Sequence, residues 1–432
     1  MNLYKLIIYI NQVITMNNIN TLERLRQCFV GVIPKIDGRS EISPLEFVIN
    51  MIFCYLGDTA CTSLEGIRRH MKKQTQKNTS RSSFWERISR KRLTGFLIST
   101  ITELMRQFGT SIIGGGCLLE QLGVVKILVV DSTYFSLWDG SADDFPGTGT
   151  NAGIKWHACF DILTGELHWF ELTQGSTHDR KCFPDVKSLS FTLVIVDLGY
   201  WDFNLLWEIK RVGGFFLSRI KSGAVLKITK IVQGKISQKY IGSSLLSVPI
   251  KNKRADILEV MIEKVCDKGT LCCRAVGFWN PLDKCYHWYI TNLTVAAHLL
   301  YPLYRLRWQI ELIFKACKQS LNANRLTSNN SNIIENLLLA SIAAHLASHT
   351  ILDVLIPQLT KMKQLAISVQ RTAKVAVLLA GEFINFLVSG SSKHAKILLD
   401  NILLFADDIF DPNFRHRETS LARVNRMLQE LS

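Results

Sequence analysis

The sequence predicts an α/β protein, a strand-rich centre bounded by helical ends, and three observations predict it. Apolar residues recur at helical spacing through residues 17–120, for example at Leu22, Leu25, Cys28 and Phe29. From residue 124 the pattern changes to short β-branched runs separated by turns. At His298 helical spacing returns and continues to the C-terminus. With 432 residues and 47% hydrophobic content, the chain is long enough for several domains with ample core.

In the first part, Ser43-Pro44-Leu45-Glu46 offers a helix cap, a proline at the first helical position and then an apolar run to Tyr55. A basic stretch follows, from Arg68, Arg69, Lys72 and Lys73 through Lys77 and Arg81 to Arg87, Arg90, Lys91 and Arg92, with Phe84 and Trp85 inside it. Few acids interrupt it, so it suits a helical unit whose cations contact phosphates. Residues 124–130 form an apolar run broken only by Lys126 and closing on Asp131, as in a buried central strand. Residues 155–162 and 166–172 read as two strands joined by a turn, 182–189 as a short helix and 192–196 as a second buried strand closing on Asp197. A helix over 203–211 and a fifth strand over 214–220 follow. Residues 224–292 alternate strands and turns, with strands at 226–232, 237–241, 257–264, 272–278 and 286–291, as in a β-rich insertion.

The formal net charge is +15, which points to an anionic partner, most commonly nucleic acid. The 11 cysteines are odd in number and include no CxxC pair, and Cys272 and Cys273 are adjacent. This pattern argues against a disulfide framework or zinc module and for a reduced, cytoplasmic setting. Residues 3–15 are apolar but carry Lys5, Asn11 and Gln12, are short for a membrane span and lack a small-residue cleavage site. Met16 directly after them is an alternative start. Residues 336–356 are apolar too, but His345, His349 and Asp353 recur through them, as in a buried helix rather than a span. No membrane association is expected.

Two strands that each close on an aspartate place Asp131 and Asp197 where open sheets bind ligands. Carboxylates brought together there repel, and desolvation adds to the cost; a divalent cation such as Mg²⁺ relieves both. A third acid lies on a helix. Taking about 100° per residue from Tyr304, the side chains of Arg307, Glu311, Lys315 and Lys318 fall in one row, opposite Leu306, Ile310, Ile313 and Cys317. Cations one turn either side of Glu311 could be ordinary helix ion pairs, but the row also matches a site that grips phosphates and a metal.

These residues resemble a known family. Tyr304, Arg307, Glu311 and Lys318 match, spacing for spacing, the signature of the insertion-sequence-four family of DDE transposases. Asp197-Leu198-Gly199-Tyr200 is similar to its second motif, Val130-Asp131-Ser132-Thr133 to its first, and 215–221 to the strand after the second. The resemblance covers roughly residues 20–350. It implies an α/β fold with a ribonuclease H-like mixed-sheet core, interrupted by a β-strand insertion between the second aspartate and the glutamate. On this reading 1–120 is a helical DNA-binding domain, 121–223 and 293–350 are the two parts of the catalytic core, 224–292 is the insertion and 351–432 is a helical region with a basic tail. It further implies Asp131, Asp197 and Glu311 as catalytic, metal-binding residues for two Mg²⁺ (or Mn²⁺) ions. Tyr304, Arg307, Lys318, Arg219 and Lys221 become DNA-contacting residues. The implied partners are double-stranded DNA (terminal inverted repeats and target DNA) and a second copy of the chain in a synaptic complex, at the nucleoid in the cytoplasm. A ribonuclease H-like nuclease without strand transfer and a silent DNA-binding relative are the alternatives.

Other features are weaker. His345 and His349 lack the glutamate of a zinc-protease helix and read as packing residues. Gly147, Gly149 and Gly153 do not form a dinucleotide fingerprint. His178-Asp179-Arg180 lies in a loop that family members often make polar. The resemblance also implies a tryptophan in the insertion that holds a flipped base, as in some members of the family; Trp279 and Trp288 are the candidates, although core packing suits each of them better.

Overall fold

The structure is a computed structural model. It describes residues 3–34, 40–57, 63–107, 116–149, 152–248, 257–320, 328–359 and 367–412, with Arg423, Arg426 and Met427 beyond them. The tail residues Arg415 and Arg417 lie outside the described residues.

The N-terminal part is helical: α1 (Leu3–Val30), α2 (Pro44–Gly57), α3 (Leu64–Thr75), α4 (Arg81–Ile88), α5 (Lys91–Gln107) and α6 (Gly116–Leu122). α2 starts where its cap predicts. The Ser43 amide donates to the Glu46 carboxylate at 2.9 Å and the Glu46 amide donates to Ser43 Oγ at 3.2 Å, a reciprocal capping box. Part of the basic stretch is spent inside this unit. Arg68 pairs with Glu65 at 2.6 Å, Lys77 with Glu46 at 2.6 Å, and Arg87 donates to Ser40 Oγ and to the carbonyls of Ile42 and Ser43. Arg69 and Arg81 keep most of their side chains in solvent.

Among the described residues, nine strands form one sheet: β1 (Lys126–Ser136), β2 (Gly153–Asp161), β3 (Leu167–Gln174), β4 (Thr192–Val196), β5 (Phe215–Arg219), β6 (Lys227–Gln233), β7 (Leu258–Cys266), β8 (Gly269–Asn280) and β9 (Cys285–Thr291). Their order is β3-β2-β1-β4-β5-β9-β8-β7-β6. β1 to β3 form an antiparallel meander, and β4 and β5 add parallel to β1. This is the ribonuclease H-like mixed sheet. β9 joins β5 antiparallel, so the strands of 224–292 extend the same sheet. The expected strand at 237–241 is instead a 3₁₀ turn, Gln238–Tyr240, closed by local i to i+3 bonds of a polar run. The expected helix at 182–189 is also absent. Pro184 disfavours helix at the residue before it, and the chain forms two short 3₁₀ turns, Asp179–Lys181 and Val186–Leu189.

The alternation of β1 divides its side chains between two cores. Ile127, Val129 and Phe135 join the large helical core, while Leu128 and Val130 face a second core with Leu206 and Ile209 of α7 (Phe203–Arg211). The large core is completed by α8 (Ala297–Arg305), α9 (Trp308–Ser320), α10 (Ser331–Leu355), α11 (Val369–Leu378), α12 (Ala380–Ser389) and α13 (Ser392–Leu404). By length and composition, Ser331–Gln358 could cross a membrane, yet 89% of its most apolar window is buried inside the fold. Asn336 ties α10 to the N-terminal helices: its amide donates to the Ile88 carbonyl at 2.8 Å and its oxygen accepts from Thr94 at 2.7 Å.

His345 and His349 pack edge to face on α10, centroids 4.8 Å apart, and neither ring nitrogen of His345 has a hydrogen-bond partner among the described residues. Burial holds His345 well below the ordinary imidazole value of 6.5 and lowers His349 to about 4. Below pH 6.5 the unfolded chain therefore takes up protons that the folded chain refuses, and stability falls as pH drops toward 4. For His349 alone this amounts to roughly 3 kcal/mol. Replacing it, His349→Leu, is expected to flatten the fall between pH 6.5 and 4 in denaturant melts; an unchanged acid limb would contradict it.

Candidate active site

The sheet register sets two aspartates side by side. β1 and β4 pair in parallel from Lys126↔Thr192 to Val130↔Val196, and Asp131 and Asp197 are the next residue of each. Asp131 does not end its strand as expected. It is the sixth of eleven residues, because 131–136 continue to pair with β2 after β4 has turned away. It lies on the face of Val129, toward α9.

α8 and α9 bring the rest. The run from Tyr304 to Lys318, expected as one helix, is two, joined at Leu306-Arg307 by i to i+3 bonds. The tightened turn holds Arg307 where its guanidinium reaches β1 and the end of β4. Arg307 Nη1 donates to Asp131 Oδ2 at 2.8 Å and Nη2 to Glu311 Oε1 at 2.5 Å, and Nε lies 3.8 Å from Asp197 Oδ1. Tyr304 donates to Asp197 Oδ1 at 3.5 Å and packs on Tyr289, with centroids 4.9 Å apart. All three acids singled out by sequence thus converge on one guanidinium.

The electrostatics explain why it sits there. Burial pushes Asp131 up to about 7, Arg307 and the Ser132 amide oppose the rise, and Asp197 and Glu311 add to it. Burial works against the charge of Arg307 too, but the facing carboxylates outweigh it and its pKa is raised. A carboxylate under this load gains from any further cation. Three carboxylates offer only hard oxygen donors, the set that suits Mg²⁺ or Mn²⁺, so these residues fit such ions.

The site opens as a cleft of about 380 Å³ lined by Asp131, Ser132, Asp197, Arg307, Glu311 and Lys318, among others. Lys318 Nζ donates to the Tyr134 carbonyl at 2.8 Å and lies 4.9 Å from the Phe135 ring centroid, so it also braces β1. Trp308, next to Arg307, is 56% exposed, an aromatic face that helical spacing alone did not single out. Arg219 ends β5. Lys221 lies in a separate groove of about 490 Å³ with Arg180 and Lys264, and with Asp202 and Asp267 among its other lining residues. Trp288 is buried against Gly277 and Trp279 packs on Tyr286, so both serve the packing of β8 and β9.

Residues 125–347 match the sequence profile of the transposase DDE domain. The chain belongs to the DDE transposase family. The matched region of this DDE-family chain encloses Asp131, Asp197 and Glu311. The chain is 24% identical to the transposase for insertion sequence element IS1151 of Clostridium perfringens, across 52% of this chain and 57% of that one. It is also 24% identical to the transposase for insertion sequence element IS231F of Bacillus thuringiensis subsp. israelensis, across 51% and 55%. The DDE-family chain thus spans little more than half the length of the curated relatives it matches. Among solved structures, the piggyBac transposase synaptic complex with hairpin DNA aligns with 90% of this chain and 84% of that chain, at a TM-score of 0.45 and 8% identity.

Proposed function

We propose that this protein is a DNA transposase that binds the inverted repeats ending its own insertion sequence, cleaves there and joins the freed 3′-hydroxyl to target DNA. The convergence of Asp131 in the middle of β1, Asp197 just beyond β4 and Glu311 on α9 around one guanidinium, inside a region of DDE-family sequence, carries this reading. The carboxylates of Asp131 and Asp197 would hold two divalent cations between them, with Glu311 completing one site. When bound, such a pair of ions supplies an activated water and stabilises the leaving 3′ oxygen of an in-line displacement.

The other residues orient the DNA. Arg307 offers a planar fork of donors to a phosphate, and DNA entry would give its guanidinium a fourth anionic partner beside the three carboxylates. Tyr304 donates a hydrogen bond to Asp197, and Lys318 lends an ammonium to the lining of the cleft. Trp308 presents a ring to an unpaired base. Arg219 and Lys221 extend the positive surface toward the DNA backbone. A synaptic complex of two copies would bring both element ends together.

Strand transfer separates a transposase from a nuclease on the same scaffold. A pre-cleaved repeat end with a free 3′-hydroxyl, incubated with plasmid and Mg²⁺, is expected to become covalently joined to the plasmid. Cleavage of uncut ends without any joining would instead favour the nuclease. Lys221→Ala is expected to weaken repeat binding several-fold at low salt, and to lower the slope of log affinity against log salt by about one. Titrations of labelled repeat at several salt concentrations read both; an unchanged slope would remove Lys221 from the interface.

A further inference from the structure

Behind the carboxylates, on the opposite face of the sheet, lies a second polar cluster that the proposed chemistry does not use. The β1–β2 register pairs Ser132 with His157 and Tyr134 with Lys155, so these side chains share the face opposite Asp131. Asp179, from the loop after β3, reaches into this face. Its Oδ1 accepts from Ser132 Oγ at 3.0 Å and from Lys155 Nζ at 3.0 Å, and lies 3.9 Å from His157 Nδ1. Its Oδ2 lies against Gly199, where an added Cβ would come within 2.7 Å. Lys155 also donates to the Thr177 carbonyl at 2.7 Å, fixing the loop that carries Asp179. Fully buried His157 meets Tyr200 OH at 3.1 Å and Thr173 Oγ1 at 2.9 Å.

The contacts fall at telling places. Ser132 is the residue after Asp131; Gly199 and Tyr200 are the second and third after Asp197. β1 and β4 stop pairing at Val130↔Val196, so no backbone ladder links the two aspartates beyond that point. The Asp179 carboxylate meets both segments from the far face, as Arg307 meets both aspartates from the cleft.

We propose that Asp179 is a positioning residue, a clamp that fixes Asp131 and Asp197 relative to each other by accepting a hydrogen bond from Ser132 and packing against Gly199 from the far face of the sheet. It needs a short acid: Lys155 supplies the countercharge, and Gly199 leaves room for the second oxygen. Its consequence for metal affinity rests on the two-cation reading above, while its structural content does not.

Hydrogen exchange of the full chain, without metal or DNA, reads the clamp directly. In Asp179→Asn, peptides from residues 131–136 and 197–203 are expected to exchange several-fold faster, with 308–320 unchanged. Melting in a Mn²⁺ titration should then show half-saturation displaced by about tenfold or more, the scale of a lost outer-sphere partner. Ser132→Ala, a milder change, should loosen only residues 131–136. Wild-type exchange in both segments of Asp179→Asn would overturn the proposal, as would a rise spread evenly over the whole sheet, which marks general destabilisation. Because exchange is measured without metal, a wild-type chain that ignores Mn²⁺ would count against the two-cation reading and leave the clamp to stand or fall on exchange alone.

Discussion

Alanine at Asp131, Asp197 or Glu311 is expected to lower cleavage at the repeat end by about 10³-fold or more, while repeat binding stays within a few-fold of wild type. A lost metal ligand removes several kcal/mol of transition-state charge stabilisation, and each 1.4 kcal/mol is about tenfold. Binding should survive because phosphate contacts from basic residues supply most of the affinity for DNA. Asp131→Ala should also relieve strain, since its carboxyl is the one pushed up to about 7 by burial and by its acidic neighbours. The mutants are compared by single-turnover cleavage and by gel shift. A mutant with substantial cleavage, or one that loses binding in step with cleavage, would remove that residue from the proposed triad.

The second large effect is expected at Arg307. Its guanidinium is the shared cation of three carboxylates, at 2.8 Å from Asp131, 2.5 Å from Glu311 and 3.8 Å from Asp197. Removing one partner of a buried ion pair leaves uncompensated charge. These groups are partly exposed, so the penalty is discounted by solvent to about 2 kcal/mol. In EDTA, Arg307→Ala should melt earlier than wild type, and Mn²⁺ should close much of the gap, because a bound cation replaces the lost charge. Cleavage should fall by about 10² even in Mn²⁺, through the loss of a phosphate fork. Arg307→Lys should recover stability better than activity, since an ammonium keeps the charge without the bidentate geometry. Equal melting of Arg307→Ala and wild type in EDTA would show that the guanidinium does not neutralise the cluster.

What could be read in advance follows from which interactions are local. The apolar runs before Asp131 and Asp197 announce buried strands, and β4 and α7 fall at Thr192–Val196 and Phe203–Arg211, where their patterns place them. Glu311 is legible because 3.6-residue spacing sets it in a polar row. The continuation of β1 through Ser136 is not, because Ser132-Thr133-Tyr134 lacks an apolar run and is held as strand by pairing to β2. The break at Arg307 escapes a helical wheel for a similar reason: its ion pairs reach residues more than a hundred positions away. Pro184 is a local signal that the helix reading of 182–189 passed over. The contacts of Asp179 with Ser132, Lys155 and Gly199 depend on sheet register, which spacing along the chain does not contain.

The most direct test is a labelled duplex carrying the chain's flanking inverted repeat, incubated with purified protein in Mg²⁺ and in EDTA. The account predicts nicking at the repeat boundary in Mg²⁺, none in EDTA and none with Glu311→Ala. Boundary cleavage that persists in EDTA or in Glu311→Ala would contradict it, as would tight repeat binding with no cleavage in either Mg²⁺ or Mn²⁺.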